Sequence, residues 1–302
     1  MSAARLRLAT RRSPLAMRQA ELVAAQLEAS SRIAVDLVPL ETLGDRLAGV
    51  PISSLAGRGV FSAEVDLAVL SGRADAAVHS AKDLPASSAE DGLCIAAVPE
   101  RSAVQDALVG RRLDELAPGA LVATGAPRRR AQLAWLRPDL GFVELRGNVH
   151  TRLSKVPAAG AVVVALAALC RLGLEAEAAE VLPTTAVLPQ VGQGALAVRC
   201  REDDGATREA LAAIDHPGSH RALLAERALL AGLGGGCDAP IGGLATEIGA
   251  GGLRLEGVLA SADGHVVVRR ALEGDDPTAL GRALAAELLE AAGGRALVGD
   301  RP

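Results

Sequence analysis

The sequence is poor in aromatic residues and in lysine. Its 302 residues include two phenylalanines and one tryptophan but no tyrosine. Only Lys82 and Lys155 are lysines among 32 basic residues, so 30 of these are arginines. So few aromatic side chains cannot build the stacking platforms on which single-stranded nucleic acids bind. A net charge of −4 also argues against a general nucleic-acid-binding face.

Cysteine motifs and long apolar segments are also missing. Cys94, Cys170, Cys200 and Cys237 lie far apart, with no CxxC spacing and no histidine at ligand spacing. Neither a metal site nor a disulfide framework is therefore predicted, and each histidine is interpreted as structural. The apolar run 156–170 is too short to span a bilayer. No apolar signal segment follows the N-terminus, so we expect a cytoplasmic protein that binds no membrane.

The residues that are present, 50% apolar and 23% charged, predict a globular chain of two or three domains. A strand over 5–10 leads into a helix that begins at Pro14, with Ser13 as its N-cap. Strands and helices then alternate, which predicts a parallel sheet covered by helices. A second such unit begins near residue 100, and a strand over 195–199 is predicted to return to the first unit.

The character of the sequence changes near residue 217. Apolar and polar residues alternate over 253–259, and Asp263-Gly264 predicts a hairpin turn into a strand over 265–270. A helix over 278–291 follows. The predicted fold class is α/β, with two lobes and a small α+β third domain that has an antiparallel sheet. The predicted boundaries are 1–98 with 194–214, then 99–193, then 215–302.

Arginines cluster just beyond predicted strand ends, the edge at which open α/β sheets bind ligands. Arg128 and Arg129 also fall in the first turn of a helix, where the macrodipole disfavours cations. A docked anion would resolve that conflict. Because guanidinium groups bind carboxylates with two hydrogen bonds, the clusters predict a polycarboxylate or phosphate ligand. The alternative is that an arginine bias merely covers solvated faces, and for any single arginine this is the favoured interpretation.

Two further segments are candidates for chemistry. Lys82 and Asp83 follow the third predicted strand, where the carboxylate is either a site acid or half of an ion pair in a turn. Cys237 follows a run of glycines, which allow close approach of a ligand. Its thiol is then either a covalent attachment point or an incidental cysteine in a hinge. No GxGxxG motif after a strand and no GK[ST] motif is present, so nucleotide binding is not predicted.

Taken together, these segments resemble the hydroxymethylbilane synthase (porphobilinogen deaminase) family nearly end to end. The resemblance is carried by residues 9–16, 57–61, 79–85, 146–148, 151–155, 191–195 and 235–242. It implies two lobes like those of periplasmic binding proteins, with a third domain that carries a cofactor loop.

The resemblance also implies the activity and the residues that serve it. Cys237 would hold a dipyrromethane cofactor through a thioether, porphobilinogen units would be added with loss of ammonia, and Asp83 would be the catalytic carboxylate. The cofactor-binding residues would be Ser13, Lys82, Arg128, Arg129, Arg146 and Arg152. The substrate-binding residues would be Arg11, Arg58, Phe61, Arg171 and Gln193. A monomer that passes its product to uroporphyrinogen III synthase is implied.

The chain departs from the family pattern at several positions. Ser54, Gly125, Ala126, His150 and Gly160 stand where relatives commonly have lysine, two serines, glycine and aspartate, respectively. Two other functions therefore remain open: a two-lobed protein that binds a polycarboxylate without chemistry, and a degenerate homologue. Asp83 and the glycine-rich loop that carries Cys237 favour the enzyme, since a protein that only binds its ligand needs neither.

Overall fold

The computed structural model describes residues 5–31, 33–46, 62–86, 92–234, 239–249, 251–290 and 294–298. The predicted site residues Arg58, Phe61 and Cys237 lie outside these ranges. The chain divides into two compact units, the first unit being 1–101 with 195–220 and the second unit 102–194 with 221–302. The division into three domains stays a prediction.

The elements alternate along most of the chain. The strands are β1 Arg5–Arg11, β2 Ala34–Leu40, β3 Ala76–Ser80, β4 Leu93–Ala97, β5 Asp106–Val109, β6 Leu121–Ala123, β7 Gly141–Val143, β8 Ala161–Ala165, β9 Ala178–Leu182, β10 Leu196–Arg201, β11 Ile241–Ile248, β12 Gly252–Ala260 and β13 Val267–Gly274. The helices are α1 Pro14–Ser31, α2 Leu43–Arg46, α3 Ala63–Leu70, α4 Pro127–Leu136, α5 Val149–Leu153, α6 Leu166–Leu172, α7 Gly205–Ala212, α8 Pro217–Gly232, α9 Pro277–Glu290 and α10 Gly294–Val298. Short 3₁₀ turns cover Ala81–Asp83, Leu113–Glu115 and Glu175–Glu177.

The first unit contains a five-stranded sheet in the order β2-β1-β3-β10-β4. Strands β1, β2 and β3 are parallel, whereas β10 runs antiparallel to both of its neighbours. The predicted return of this late strand to the first unit is confirmed. Helix α1 packs Ala20, Val23 and Leu27 against the sheet, and the Ser13 hydroxyl accepts a hydrogen bond from the Ala16 amide at 3.3 Å, as an N-cap does.

The second unit contains two sheets. One is five-stranded, in the order β7-β6-β8-β5-β9, with β5 antiparallel to β8 and β9. The other is the antiparallel sheet β11-β12-β13, which packs with Leu229 of α8 and Leu284 and Leu288 of α9 into one hydrophobic core. Two mixed α/β sheets and one antiparallel sheet with helices confirm the predicted fold class.

The hairpin between β12 and β13 differs from the prediction. Ala260 pairs with Val267, so the loop holds the six residues 261–266 rather than a two-residue turn. The Asp263 carboxylate accepts the His265 amide at 3.0 Å, and the Ser261 amide donates to the Val266 carbonyl at 2.8 Å. These hydrogen bonds close the loop, and the strand begins at Val267, two residues later than the predicted start at His265.

None of the helices in the described ranges is both long and apolar enough to cross a bilayer.

Candidate functional site

Four predicted site residues of the first unit lie at one edge of its sheet. Arg11 is the last residue of β1, and Ser13 follows it before α1. Lys82 and Asp83 follow the end of β3, which pairs with β1 in parallel. The carboxyl ends of parallel strands meet at the same edge, so these side chains are grouped where α/β sheets bind ligands.

The guanidinium group of Arg11 is held in place by Asp45. Its Nη2 lies 2.5 Å from Asp45 Oδ1, and the Thr42 hydroxyl donates to the other carboxylate oxygen at 2.8 Å. Burial alone would raise the pKa of Asp45, but the hydrogen bonds from Arg11 and Thr42 lower it below its ordinary value. Sequence reasoning missed Asp45, which lies 34 residues from Arg11 in the chain.

Asp83 is the last residue of a 3₁₀ turn and is half-buried. The Ala81 amide donates to the Ala195 carbonyl at 3.1 Å, and the Leu84 side chain is 2% exposed, so both ends of the turn are anchored. Within the described ranges, no residue forms an ion pair or a side-chain hydrogen bond with the Asp83 carboxylate. The structure therefore presents the Asp83 carboxylate on an anchored turn, with no ion-pair partner among the described residues.

The strand that leads to this turn is supported by buried polar contacts. His79 Nε2 lies 2.9 Å from Asp66 Oδ1, and Arg199 Nη1 lies 2.7 Å from Asp66 Oδ2. All three side chains are buried. The next residue, Ser80, accepts a hydrogen bond from Gln19 Nε2 at 2.9 Å. These contacts fix the end of β3 immediately before Lys82 and Asp83.

The predicted arginines of the second unit also lie at one sheet edge. Strands β6, β7 and β8 are parallel, and each is followed by site candidates. Arg128 and Arg129 follow β6, Arg146 and Arg152 follow β7, and Arg171 follows β8 in α6. Strand β5 runs the other way, so its first residue, Asp106, lies opposite Ala165 at the same edge.

Asp106 is the buried counter-ion of the arginine pair. Its Oδ2 accepts Arg128 Nη2 at 2.9 Å, and its Oδ1 accepts Arg129 Nη2 at 2.7 Å and Gln193 Nε2 at 2.8 Å. Burial alone would raise the pKa of Asp106, but Arg128 and Arg129 hold it well below its ordinary value. The anion expected at the start of α4 is thus supplied by the chain itself.

This buried cluster still carries one positive charge in excess, because two guanidinium groups face one carboxylate. The Nε of Arg128 is buried and has no hydrogen-bond partner in the part of the chain that the structure describes. Burial lowers the pKa of Arg128, and repulsion from Arg129 lowers it further. Arg128 also lines a small cleft with Gln190, Val191 and Ala239. A second anion beside Arg128 would balance the cluster and satisfy the unpartnered N–H.

Arg146 and Arg152 are held on one short segment after β7. Arg146 Nε lies 2.9 Å from Glu144 Oε1, and Arg152 Nε donates to the Gly147 carbonyl at 2.8 Å. The segment turns at Gly147, where φ is +114° and a Cβ would lie 2.7 Å from Thr151 Cγ2. Only glycine fits this turn, which brings both arginines to the sheet edge.

Arg171 and Gln193 make contacts within the second unit. Arg171 Nη2 donates to the Gly194 carbonyl at 2.7 Å, and burial lowers the pKa of Arg171 to about 10. Gln193 is fully buried, and its amide nitrogen also donates to the Val104 carbonyl at 2.8 Å. Gln193 therefore helps to orient Asp106.

The departure from the family pattern at Gly125 has a packing reason. A Cβ at this position would lie 2.6 Å from the Leu145 carbonyl oxygen. The absence of a side chain lets the turn between β6 and α4 approach the segment after β7. A serine here would require the backbone to shift.

Comparison with known proteins identifies the family. The model described as porphobilinogen deaminase, dipyromethane cofactor binding domain, matches residues 6–209, and the model of its C-terminal domain matches residues 220–290. The porphobilinogen deaminase of Acidothermus cellulolyticus is 48% identical over 297 residues, covering 95% of this chain and 89% of that protein. That of Rubrobacter xylanophilus is 48% identical over 293 residues, covering 95% of each. Among solved structures, the methionine binding protein MetQ aligns over 70% of this chain and 89% of that chain at 14% identity, with a TM-score of 0.43. The chain belongs to the porphobilinogen deaminase family.

Proposed function

We propose that the chain joins four porphobilinogen units head to tail with loss of ammonia and releases the linear tetrapyrrole hydroxymethylbilane. The primer for this polymerisation is a dipyrromethane attached covalently to Cys237. The observation that carries the proposal is the buried arginine cluster of the second unit, with its excess positive charge and the unpartnered Nε of Arg128. Family membership supplies the reaction for which such a cluster is suited.

The residues present fit a polycarboxylate cofactor. Each pyrrole unit derived from porphobilinogen carries two carboxylates, and one of these would satisfy Arg128 beside the cleft that Ala239 lines. Arg129 acts there mainly through its charge, because three of its five N–H bonds already donate to Asp106 and to the Val163 carbonyl. When bound, the cofactor supplies the pyrrole carbon to which the first substrate unit is joined. We propose as its other binding residues Ser13, Lys82, Arg146 and Arg152.

Asp83 performs the acid chemistry. Loss of ammonia from porphobilinogen leaves a conjugated methylene-pyrrole with a positive charge, which arginines alone would destabilise. A fixed carboxylate stabilises that charge as it forms, and it also exchanges a proton with the leaving amine. The absence of an ion-pair partner for Asp83 among the described residues supports this role, since the carboxylate is available to the substrate.

The substrate carboxylates are bound by other arginines. We propose Arg11, oriented by Asp45, and Arg171 for this role, together with Arg58 and Phe61 and with Gln193 as a supporting residue. We further propose a cytoplasmic monomer whose product passes to uroporphyrinogen III synthase.

The assay that tests the function is incubation of the purified protein with porphobilinogen. We expect release of ammonia and formation of uroporphyrin from the linear product. A two-lobed protein that only binds polycarboxylates, or a degenerate homologue, would bind porphobilinogen. Neither would release ammonia at any concentration of porphobilinogen. That outcome would reject the proposal that the protein is an enzyme.

Attachment of the cofactor is visible in the intact mass of the protein. We expect the purified chain to exceed its sequence mass by two pyrrole units, and Cys237→Ser to lose that excess because the thioether cannot form. Cys170→Ser is the matched control and should keep it. A Cys237→Ser protein that retained the extra mass would place the attachment elsewhere.

A further inference from the structure

Two free cysteines lie side by side in the sheet of the first unit. Strands β4 and β10 are antiparallel, and Cys94 is directly opposite Cys200. In such pairs the Cα atoms lie about 4.5–5.5 Å apart and the side chains share one face of the sheet. Disulfides span Cα separations of about 4.4–6.8 Å. The direct pairing of Cys94 with Cys200 therefore places the two residues within the separation that a disulfide spans.

The two thiols differ in their access to solvent. Cys200 is fully buried, whereas Cys94 is half-buried and lines an open cleft of the first unit. Arg208 and Glu209 of α7 and His220 of α8 line the same cleft and provide polar groups that can hydrogen-bond a small oxidant. A reagent that enters the cleft therefore meets Cys94 first.

The order of reaction follows from the same environment. Burial and the neighbouring Cys94 thiol raise the pKa of Cys200 to about 12. Because the thiolate is the reactive form of cysteine, Cys200 is the poorer initial nucleophile. The access to Cys94 and the raised pKa of Cys200 thus both make Cys94 the first to react and Cys200 the second.

We propose that Cys94 and Cys200 are an oxidation-sensitive dithiol. A peroxide oxidises the two thiols to an intrachain disulfide. The Cys94 sulfur attacks one peroxide oxygen, the O–O bond breaks, and a sulfenic acid forms on Cys94 as the first water leaves. The Cys200 sulfur then displaces the hydroxyl group, which departs with the Cys200 proton as a second water. Two thiols are oxidised to one disulfide while the peroxide is reduced to two waters. A dithiol reductant reverses the reaction by thiol–disulfide exchange.

The inference is independent of the proposed function and concerns the first unit alone. Cys170, in α6 of the second unit, is also free and half-buried but lacks this arrangement among the described residues. It is therefore the matched control for chemical accessibility without an opposed thiol.

The experiment treats the reduced full-length chain with hydrogen peroxide, alkylates the remaining thiols under denaturing conditions and maps the peptides by mass spectrometry. We expect the Cys94 and Cys200 peptides to be linked, with the loss of two hydrogen atoms reversed by dithiothreitol. Cys170→Ser should retain the link, and Cys200→Ser should stop at a Cys94 sulfenic acid that a diketone reagent traps. Full alkylation of both cysteines in the wild-type chain, or a link between Cys94 and any other cysteine, would overturn the proposal.

Discussion

Replacing Asp83 with asparagine is expected to lower kcat for porphobilinogen by about 10²–10⁴-fold. Asparagine keeps the shape of the side chain but removes the negative charge that stabilises the cation formed when ammonia leaves. The turn around Asp83 is held by the Ala81 amide and the buried Leu84, neither of which depends on the carboxylate. Ammonia release under saturating substrate measures the effect, and the denaturation midpoint should stay close to that of the wild type.

The matched control for this variant is Asp36→Asn. Asp36 belongs to the same unit and forms an exposed ion pair with Arg5, so its loss removes an equal charge away from the sheet edge. We expect its turnover to equal that of the wild type. Near-normal turnover in both Asp83→Asn and Asp36→Asn would show that Asp83 takes no part in the reaction.

The second large effect is expected for Asp106→Asn. This change leaves Arg128 and Arg129 buried without their counter-ion, and breaking one partner of a buried ion pair costs about 3–5 kcal/mol. Chemical denaturation should show a much lower midpoint for unfolding of the second unit. Asp36→Asn again serves as the control, since an exposed pair contributes little. A midpoint shift no larger than that of the control would show that the cluster is not a stabilising ion pair.

The pH dependence of stability gives an independent check on the same residue. The folded-state pKa of Asp106 is lower than its unfolded value, so the unfolded chain binds the proton first as the pH falls. The stabilisation is therefore complete above about pH 5 and declines through the acid range below it. The difference in midpoint between the wild type and Asp106→Asn should narrow over that acid range. A difference that stays constant from neutral to acid pH would contradict the assigned pKa shift.

The sequence predicts those parts of the molecule that depend on near neighbours. Ser13 and Pro14 mark the start of α1, and the unbroken apolar run of β8 marks a buried strand. The placement of arginines after strand ends follows from the element order alone, because parallel strands end at a common edge. Hence the grouping of Arg11 with Asp83, and of Arg128 with Arg146, could be predicted from the chain order.

The internal partners of those residues could not be predicted in the same way. Asp106 reaches Arg129 only because β5 runs antiparallel to β8, which a single sequence does not reveal. The available signal was a lone acid at the start of the apolar segment 106–109. Asp45 likewise meets Arg11 from the short helix α2 after β2, and its contact depends on the parallel pairing of β1 and β2.

The position of β10 has a consequence for synthesis of the chain on the ribosome. Among the described residues, strand β4 pairs only with β10, which is made about a hundred residues later, after the whole sheet β7-β6-β8-β5-β9. That sheet is contiguous in the chain and can form as it emerges. The sheet of the first unit cannot close until β10 has left the exit tunnel, so a nascent chain carries β3 and β4 as open edges in the meantime. Open edges pair readily with other chains, so protection during translation matters most for this unit.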